Sequence, residues 1–540
     1  MEGDGAAAEL RAVGTDVTAV DQRSAAPAVR DRAQAALAQV GPPEMALAVL
    51  VLAWIITFIR LPQLRHDQYG TFGFDLGIYD QGTWLLSQFK DPFVTIRGLE
   101  IFGHHANFVL LFFVPFYWVG AGPIFLLVVQ VLSQASGAVA LYLLTRDVLR
   151  SKWAGVALAA AFLLNPTNQW LTWEFFHPDA VAIGPLLFAY WAARNQRWRW
   201  FTVAAILALL CKEDVALAMF VLGLILVFRG HRRRGVVVAL LSAAWFLFCT
   251  RVLIPWQNGI GPFYDTFFGD LGNSPTEVAY NSVRHPSETW HLASAADRRT
   301  WYWKMLAPWG LFPLLDLGAL LIAGPMIFVN VLTAFPYTRD YRFHYSALVL
   351  CGTAVATVEA IGWISRRAGR AFAVTRNAMV LVVLVCAIIS TRLWGASPLA
   401  ADYDSIWPLR SDSRAELKTA AIAMVPSDAS LSTAYNIAPH VTHREKVYEF
   451  PVPWCNINWG VNGENLDDPG QVQWLLIDRT LVGSPRDQAL LDDLLHGEFS
   501  IVSEQNGIVV AHRVQPAAEP PGPNPAPGHC YPRPSLRNYP

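Results

Sequence analysis

Charged side chains that interrupt aromatic or apolar sequence are the first candidates for chemistry in this chain. Asp75 and Asp80 lie in the aromatic stretch Phe72–Gln81, which follows the first strongly apolar segment. A carboxylate that faces lipid is costly unless it has water, a partner or a function. Asp75 is therefore the leading candidate for the catalytic residue. Alternatively, Asp75 only caps an interfacial helix that begins at Leu76, because Asp is a preferred capping residue.

Two further charged motifs connect later apolar segments. They are Glu174, His177 and Asp179 in one connection and Lys212, Glu213 and Asp214 in the next. Carboxylates can accept protons or stabilise positive charge, and a lysine can hold a phosphate as a point charge. The structural alternative for His177 and Asp179 is capping of the helix that Pro178 starts. The second motif lacks the residues that an ordinary turn prefers, which favours a polar cavity.

Histidines and arginines near aromatic residues complete the candidates. His104 and His105 start a short apolar run, and neighbouring helical side chains diverge, so this pair alone does not predict a metal site. Arg342 and His344 lie in a segment that suits either a lipid phosphate or an interfacial anchor. The sequence contains no CxxC pair and no HExxH motif. A metal shared among Asp75, His104 or His105 and Asp179 has no supporting ligand spacing, and no cofactor is predicted.

The elements that must position these residues are membrane helices. Of 540 residues, 54% are hydrophobic and 15% are charged, and the mean hydropathy is +0.31. Such a chain is far more apolar than a soluble domain of its size. Its 41 basic and 42 acidic residues nearly cancel, so the total charge does not suggest nucleic acid as a partner. We expect an α-helical polytopic membrane protein with about eleven crossings.

Arginine-rich clusters between alternate apolar segments fix the predicted topology. The four clusters begin at Arg146, Arg194, Arg229 and Arg366. The positive-inside rule places all four in the cytoplasm, so the connections that carry the acidic motifs turn on the outer face. Asp75 joins them there only if His105–Gly120 is interfacial instead of crossing, as its short length favours.

Composition divides the chain into four predicted regions. Residues 1–43 are a disordered cytoplasmic tail, 44–394 the membrane domain, 395–515 an extracytoplasmic α/β domain and 516–540 a proline-rich disordered tail. Helices are predicted at Arg414–Met424 and Gln488–Leu495. Strands are predicted at Ser430–Ala434, Lys446–Phe450, Trp474–Ile477, Ser500–Ser503 and Ile508–Ala511. Cys455 and Cys530 could pair if this region is outside, but the sequence leaves that open.

The motifs also carry a family resemblance. Phe74-Asp75-Leu76-Gly77, His177-Pro178-Asp179 and Lys212-Glu213-Asp214 resemble a family of bacterial polytopic membrane proteins defined by a domain of unknown function. That family is itself similar to the GT-C superfamily of polyprenyl-phosphate-sugar glycosyltransferases. The resemblance implies a GT-C-like fold in the bacterial plasma membrane. It also implies transfer of a sugar from a polyprenyl-phosphate donor to a glycan or lipid acceptor on the extracytoplasmic face.

The resemblance assigns roles to several of the candidates. Asp75 would be the general base, Asp179 would stabilise an oxocarbenium-like transition state, and Lys212 and Arg342 would neutralise the departing phosphate. The remaining predicted substrate-binding residues are Asp80, His104, His105, Glu174, His177, Glu213, Asp214 and His344. Many GT-C enzymes carry a second acid directly beside the first, whereas Leu76 follows Asp75 here.

Two other functions remain open from the sequence. A transporter or lipid flippase would also be an apolar polytopic protein, but transporters usually place charges near the bilayer midplane. A non-catalytic envelope scaffold would use its outer domain to bind a partner. Charges at the hairpin tips of a single membrane face favour a fixed site at that surface.

Overall fold

The computed structural model describes residues 40–259, 267–269, 271–407, 413–457, 465–516 and 523–537. Most of the predicted N-terminal tail, residues 1–39, lies outside the described residues. The described helices of eight or more residues before the C-terminal domain are α1 (Pro42–Asp67), α2 (Ile78–Ser87), α3 (Pro123–Leu149), α4 (Lys152–Leu164), α5 (Pro166–Trp173), α6 (Ile183–Arg194), α7 (Trp198–Leu209), α8 (Val215–Phe228), α9 (Arg232–Phe248), α10 (Pro275–Arg284), α11 (Pro286–Ala293), α12 (Ala296–Leu306), α13 (Gly324–Leu332), α14 (Ala347–Arg367) and α15 (Phe372–Trp394).

Several of these helices are suited to a bilayer. Five stretches are long and apolar enough to cross a membrane: Pro42–Asp67, Pro123–Leu149, Arg232–Asn258, His344–Arg367 and Gly369–Trp394. Helices α4, α7 and α8 are shorter and also apolar. The protein is therefore a multi-pass membrane protein, while the count of about eleven crossings stays a prediction. The run His105–Gly120, predicted to be interfacial, contains only the short helices Phe108–Phe112 and Val114–Tyr117.

Small residues let helices α8 and α9 pack closely. A Cβ on Gly223 would lie 2.6 Å from the backbone nitrogen of Ala239, and one on Gly235 would lie 2.6 Å from the carbonyl oxygen of Gly223. Close backbone approach of this kind is a common way to pack helices where lipid removes the hydrophobic driving force.

The predicted arginine clusters meet at one end of the bundle. Arg194 and Arg229 both bind Glu359 of α14, at 3.0 and 3.3 Å. Arg376 donates to the Leu149 carbonyl oxygen at 3.1 Å, next to the first cluster. This arrangement matches the alternation that the positive-inside rule predicts. The connections that carry Asp75, Glu174 and Lys212 therefore lie at the other end.

The C-terminal region folds as a small α/β domain. Its strands are β3 (Leu431–Thr433), β4 (Val447–Glu449), β5 (Trp474–Asp478), β6 (Phe499–Gln505) and β7 (Ile508–Arg513), after the short hairpin of β1 (Phe93–Val94) and β2 (Leu99–Glu100) in the membrane domain. The sheet order is β4-β3-β5-β7-β6. Strands β4, β3 and β5 are parallel, β7 is antiparallel to β5, and β6 is antiparallel to β7. Helices α16 (Ser413–Ile422) and α17 (Pro485–Gly497) complete it. All five predicted strands and both helices are present.

Residues 523–537 fall within the region predicted as a disordered tail, but they pack against this domain. Cys530 forms a disulfide with Cys455, Leu536 is buried in the domain core, and Arg533 binds Asp493 at 2.8 Å. These contacts extend the folded domain beyond its predicted end at residue 515.

Candidate active site

A cavity of about 140 Å³ lies at the end of the bundle away from the arginine clusters, and we name it the polar cavity because acidic, basic and histidine side chains line it among aromatic ones. Six of the residues that line it are sequence-predicted site residues: Asp75, His104, His105, Glu174, His177 and His344. They come from four separate connections of the chain. The convergence that the topology required is therefore present in the fold.

Asp75 lies in a strained turn and faces this cavity. Its φ is 74° and its ψ is −86°, a backbone conformation that residues with a Cβ rarely adopt. Its Oδ1 lies 3.4 Å from Nε2 of His177, and 32% of the side chain is exposed. Gly77, not Asp75, occupies the N-cap position of α2. The capping alternative for Asp75 thus has no support in the geometry.

Glu174, His177 and His344 form a compact group beside Asp75. Glu174 Oε1 lies 2.8 Å from His344 Nδ1, and the rings of His177 and His344 stack with centroids 3.8 Å apart. Burial and the charge of Asp75 raise the pKa of the Glu174 carboxyl well above its usual range. Within the described chain, Glu174 Oε2 and both ring nitrogens of His177 make no hydrogen bond. Glu174 Oε2 and His177 Nδ1 could therefore bond to a ligand, whereas His177 Nε2 faces the carboxylate of Asp75.

The same three side chains are the described residues that could hold a metal ion, because one ligand atom of each lies within 4.8 Å of the others. An imidazole binds a metal through a lone pair in its ring plane. The planes of His177 and His344 are only 15° apart in the stack, so both lone pairs cannot point at one ion. One ring would have to leave the stack. This set also differs from the combination of Asp75, a histidine and Asp179 considered from the sequence.

Lys212, Asp179 and Asp214 form an ion cluster beside the cavity, in which Lys212 and Asp179 are buried and Asp214 is partly exposed. Lys212 Nζ lies 3.2 Å from Asp179 Oδ1 and 3.3 Å from Asp214 Oδ2, and Lys212 is only 3% exposed. Burial lowers the pKa of Lys212, but the two aspartates raise it more, so it stays well above its usual range. The lysine charge is already balanced by protein carboxylates. Neither Lys212 nor Asp179 lines the polar cavity.

Glu213 supports the cavity wall from behind. It is fully buried, and its two carboxylate oxygens lie 2.7 Å from His105 Nδ1 and 3.0 Å from the Ala106 amide nitrogen, which donates to it. Although burial raises its pKa, pairing with His105 brings that pKa below the usual range. Glu213 therefore orients His105 instead of contacting the cavity itself.

A larger, mainly apolar cavity of about 520 Å³ adjoins the polar one. Its walls include side chains of α8 and α13, and it shares His105, Phe267 and Tyr345 with the polar cavity. Lys212 and Asp214 lie at its polar margin. A polar pocket and an apolar channel thus meet at one wall.

Residues 65–510 of the chain match the family described as predicted membrane protein DUF2079. The chain belongs to this family. No curated protein matches the DUF2079 chain significantly. The resemblance that the sequence motifs carry is confirmed at the level of the family.

Solved structures similar to the DUF2079 protein are GT-C glycosyltransferases. ArnT from Cupriavidus metallidurans in the apo state has 15% identity and a TM-score of 0.50, over 87% of this chain and 97% of that one. The same protein bound to undecaprenyl phosphate has 16% identity and a TM-score of 0.49 over the same shares. The Archaeoglobus fulgidus oligosaccharyltransferase complex with Zn and sulfate has 14% identity and a TM-score of 0.38, over 87% of this chain and 73% of that one. At such identity the apo ArnT match shows a GT-C-like fold and no more.

Four predicted site residues of the DUF2079 protein line neither cavity: Asp179 and Glu213, described above, and Asp80 and Arg342. Asp80 is fully buried: Tyr117 donates to its Oδ1 at 2.6 Å, Thr442 donates to its Oδ2, and His443 Nε2 lies 3.2 Å from Oδ2. Arg342 is paired with Asp340 through several hydrogen bonds and is half exposed. The structure brings neither of these two side chains to a cavity wall.

Arg97 is a cavity residue that the sequence analysis missed. It is 1% exposed, lines the polar cavity and lies over the ring of Phe74 at 5.7 Å. It stands in the turn between β1 and β2, whose Gly98 has a φ of 69°. The available pattern was a single arginine in an otherwise uncharged outer segment, Pro92–Gly98. The topology was predicted only from clusters of arginines, so this single arginine was not considered.

Proposed function

We propose that this DUF2079 protein transfers a sugar from a polyprenyl-phosphate donor to a glycan or lipid acceptor at the extracytoplasmic membrane face. The observation that supports it is the junction of a polar cavity, which contains Asp75, with a larger apolar cavity through shared wall residues. An amphiphile with a polar head and a long apolar chain fits this junction. The GT-C-like fold is in keeping with such a donor.

The proposed reaction is an inverting displacement. Asp75 takes the proton from the acceptor hydroxyl, and the acceptor oxygen bonds to the anomeric carbon of the donor sugar. The bond between that carbon and the phosphate oxygen breaks, and polyprenyl phosphate leaves with the bonding electron pair. Positive charge develops on the sugar in the transition state, as in glycoside hydrolysis. Asp75 is the carboxylate with the accessible position in the cavity, and Glu174 lies beside it.

Arg97 is our candidate to bind the departing phosphate. A guanidinium can hold phosphate oxygens through two parallel hydrogen bonds, and Arg97 lines the cavity whereas Arg342 does not. Lys212 contributes positive charge nearby but is already paired with Asp179 and Asp214. No metal ion is part of the proposed reaction, because the stacked histidines do not present a joint site.

A transfer assay in detergent tests the function. Cells that lack the gene should lose one sugar from an envelope glycan and accumulate its polyprenyl-phosphate donor. Purified protein, added in detergent to a lipid extract of these cells, should restore the sugar, which mass spectrometry of the products detects. A flippase or a scaffold cannot act in micelles, so restoration in cells without restoration in detergent would contradict transferase activity.

Replacing Arg97 with glutamine should weaken use of the donor. A charge-assisted hydrogen bond contributes roughly 1.5–3 kcal/mol, so kcat/KM for the donor should fall by about 10- to 150-fold. Arg342→Gln is the matched control, and its rate should stay within about threefold of wild type because surface ion pairs contribute little. A larger loss of kcat/KM in Arg342→Gln than in Arg97→Gln would instead identify Arg342, the residue predicted from the sequence, as the phosphate ligand.

The side of the membrane can be measured with single cysteines at exposed positions. Val283 in α10 is 81% exposed, and Arg233 in a predicted cytoplasmic cluster is also exposed. In a background without the four free cysteines, a membrane-impermeant maleimide should label Val283→Cys in intact cells. Arg233→Cys should react only after permeabilisation. The reverse pattern would place the cavity in the cytoplasm, where lipid-linked sugars of this kind are not the expected donors.

A further inference from the structure

The C-terminal domain contacts the turn that carries Asp75 through main-chain hydrogen bonds. The Phe74 amide donates to Glu449 Oε1 and the Gly73 amide donates to the Tyr435 carbonyl oxygen, each at 2.8 Å. Glu449 ends strand β4, and Tyr435 follows the end of the neighbouring parallel strand β3. The carboxyl ends of two strands thus supply acceptors to two successive amides of the turn.

The turn needs such support because its backbone is strained. Phe74 is extended, with φ −60° and ψ 132°, and the next residue, Asp75, has a φ of 74° and a ψ of −86°. A non-glycine residue keeps such a conformation only where the surrounding structure over-determines it. The amide hydrogen bonds lie directly before the strained residue. They are therefore well placed to fix the direction of its carboxylate.

Gly73 makes the close approach of the two parts possible. A Cβ at this position would lie 2.2 Å from Glu449 Oε1 and 2.6 Å from the Cβ of Ala438. Both distances are too short for any side chain, so only glycine fits between the turn and the C-terminal domain. The contact therefore depends on both parts of the chain: Gly73 leaves the space, and Glu449 supplies the acceptor.

A second pair of hydrogen bonds fixes strand β4 against the membrane domain. Thr95 Oγ1 donates to the Val447 carbonyl oxygen at 2.7 Å and accepts from the Val447 amide at 3.0 Å. Thr95 lies in the turn that also contains Arg97. Strand β4 thus contacts the two turns that bring Asp75 and Arg97 to the polar cavity, and Glu449 is held in place relative to both.

We infer that Glu449 is a positioning residue, which holds the Asp75 turn so that the carboxylate faces the cavity in the orientation that catalysis needs. The kinetic part of this inference rests on the proposed transferase function, whereas the structural part does not. The C-terminal domain is accordingly a component of the active site, although none of its side chains lines the described polar cavity.

Glutamine is the informative replacement for Glu449. Burial and the charge of Asp75 raise the pKa of the Glu449 carboxyl to about 8, so it is protonated at neutral pH. A protonated carboxyl and a carboxamide have nearly the same shape, and each offers one carbonyl oxygen to the Phe74 amide. Glu449→Gln should keep the contact, and Glu449→Ala should remove it. Glu445→Ala is a matched control, because Glu445 in the same domain also pairs with the membrane domain, through exposed Lys90.

Hydrogen exchange of the full-length protein in detergent tests the contact without any assay of activity. In Glu449→Ala, the amides of the 73–77 turn should exchange at least about tenfold faster, since the acceptor of Phe74 is lost. Glu449→Gln and Glu445→Ala should stay within about twofold of wild type. Equal exchange in all four proteins would overturn the inference. Peptides from β5 report whether the domain is still folded.

A variant on the other side of the contact guards against unfolding. Gly73→Ala introduces a Cβ against Glu449 and Ala438 without any change to the sequence of the C-terminal domain. If Glu449→Ala also loses protection in β5, the C-terminal domain of that variant is unfolded. The hydrogen exchange of the 73–77 turn in Gly73→Ala is then the test of the contact. Wild-type exchange in that variant would then overturn the inference.

Kinetics of the same variants separate positioning from substrate binding. A misplacement of about 1 Å costs about 100-fold in rate, so Glu449→Ala should lower kcat by that order with KM nearly unchanged. Glu449→Gln should restore kcat. If wild type transfers no sugar, the proposed function fails and the exchange result still stands. If wild type and Glu449→Ala transfer equally fast, the positioning role fails and the proposed function stands.

Discussion

Replacing Asp75 with asparagine is expected to lower the rate of sugar transfer by about 10²- to 10⁴-fold, the usual contribution of a positioned general base. Asparagine has nearly the same shape as aspartate but cannot accept the proton of the acceptor hydroxyl. It is also among the residues that best tolerate a positive φ, so the turn at φ 74° should persist. The loss should therefore come from chemistry and not from a rearranged loop. The detergent assay measures it, with membrane abundance of both proteins matched.

Asp80→Asn is the control for this experiment. Asp80 lies in the same aromatic stretch, but its carboxylate is fully buried and hydrogen-bonded to Tyr117 and Thr442, outside the cavity. Its amide replacement should retain activity within a few fold if the stability is unchanged. In cells, full restoration of the envelope glycan by Asp75→Asn would remove Asp75 as the base. It would favour a transporter or a scaffold instead.

The sequence was most informative where the pattern is local. Apolar segments and the strands of the C-terminal domain were found because hydropathy and strand alternation depend on neighbouring residues. The arginine clusters then placed Glu174, His177 and Asp75 on one face, because a chain that crosses a membrane repeatedly must alternate sides. All three of these residues line the polar cavity.

Charge alone could not separate residues that bind substrate from residues that satisfy one another. Lys212 and Asp179 are 33 positions apart, and no pattern in the sequence shows that they form an ion pair. Asp80 likewise bonds to Thr442, 362 positions away. Arg97 and Glu449 were missed for the opposite reason, since a single arginine and a strand-end glutamate are ordinary in isolation. Only the folded structure shows that Arg97 lines the polar cavity and that Glu449 accepts a hydrogen bond from the turn that carries Asp75.

Replacing Lys212 with methionine should mainly destabilise the fold. Methionine keeps the length of the side chain but leaves the buried carboxylate of Asp179 and the partly exposed carboxylate of Asp214 without their cation. Removing one partner of a buried ion pair costs roughly 3–5 kcal/mol, so the free energy of unfolding should fall by about that amount. Titration with SDS in mixed micelles, followed by the fluorescence of the 21 tryptophans, measures the change. Lys212→Arg, which keeps the charge, is the control and should lose much less.

The pH dependence of this loss distinguishes a structural cation from a phosphate ligand. Burial already raises the pKa of Asp214 to about 6 beside Lys212, and without the lysine Asp214 should bind its proton more tightly. A carboxyl with a raised pKa in the folded state contributes stability at low pH that is lost as pH rises through that pKa. Lys212→Met should therefore approach wild-type stability near pH 5 and fall furthest behind near pH 8, and adding Asp179→Asn should recover part of the loss. An unchanged free energy of unfolding with a raised KM for the donor would instead make Lys212 the phosphate ligand that the sequence predicts.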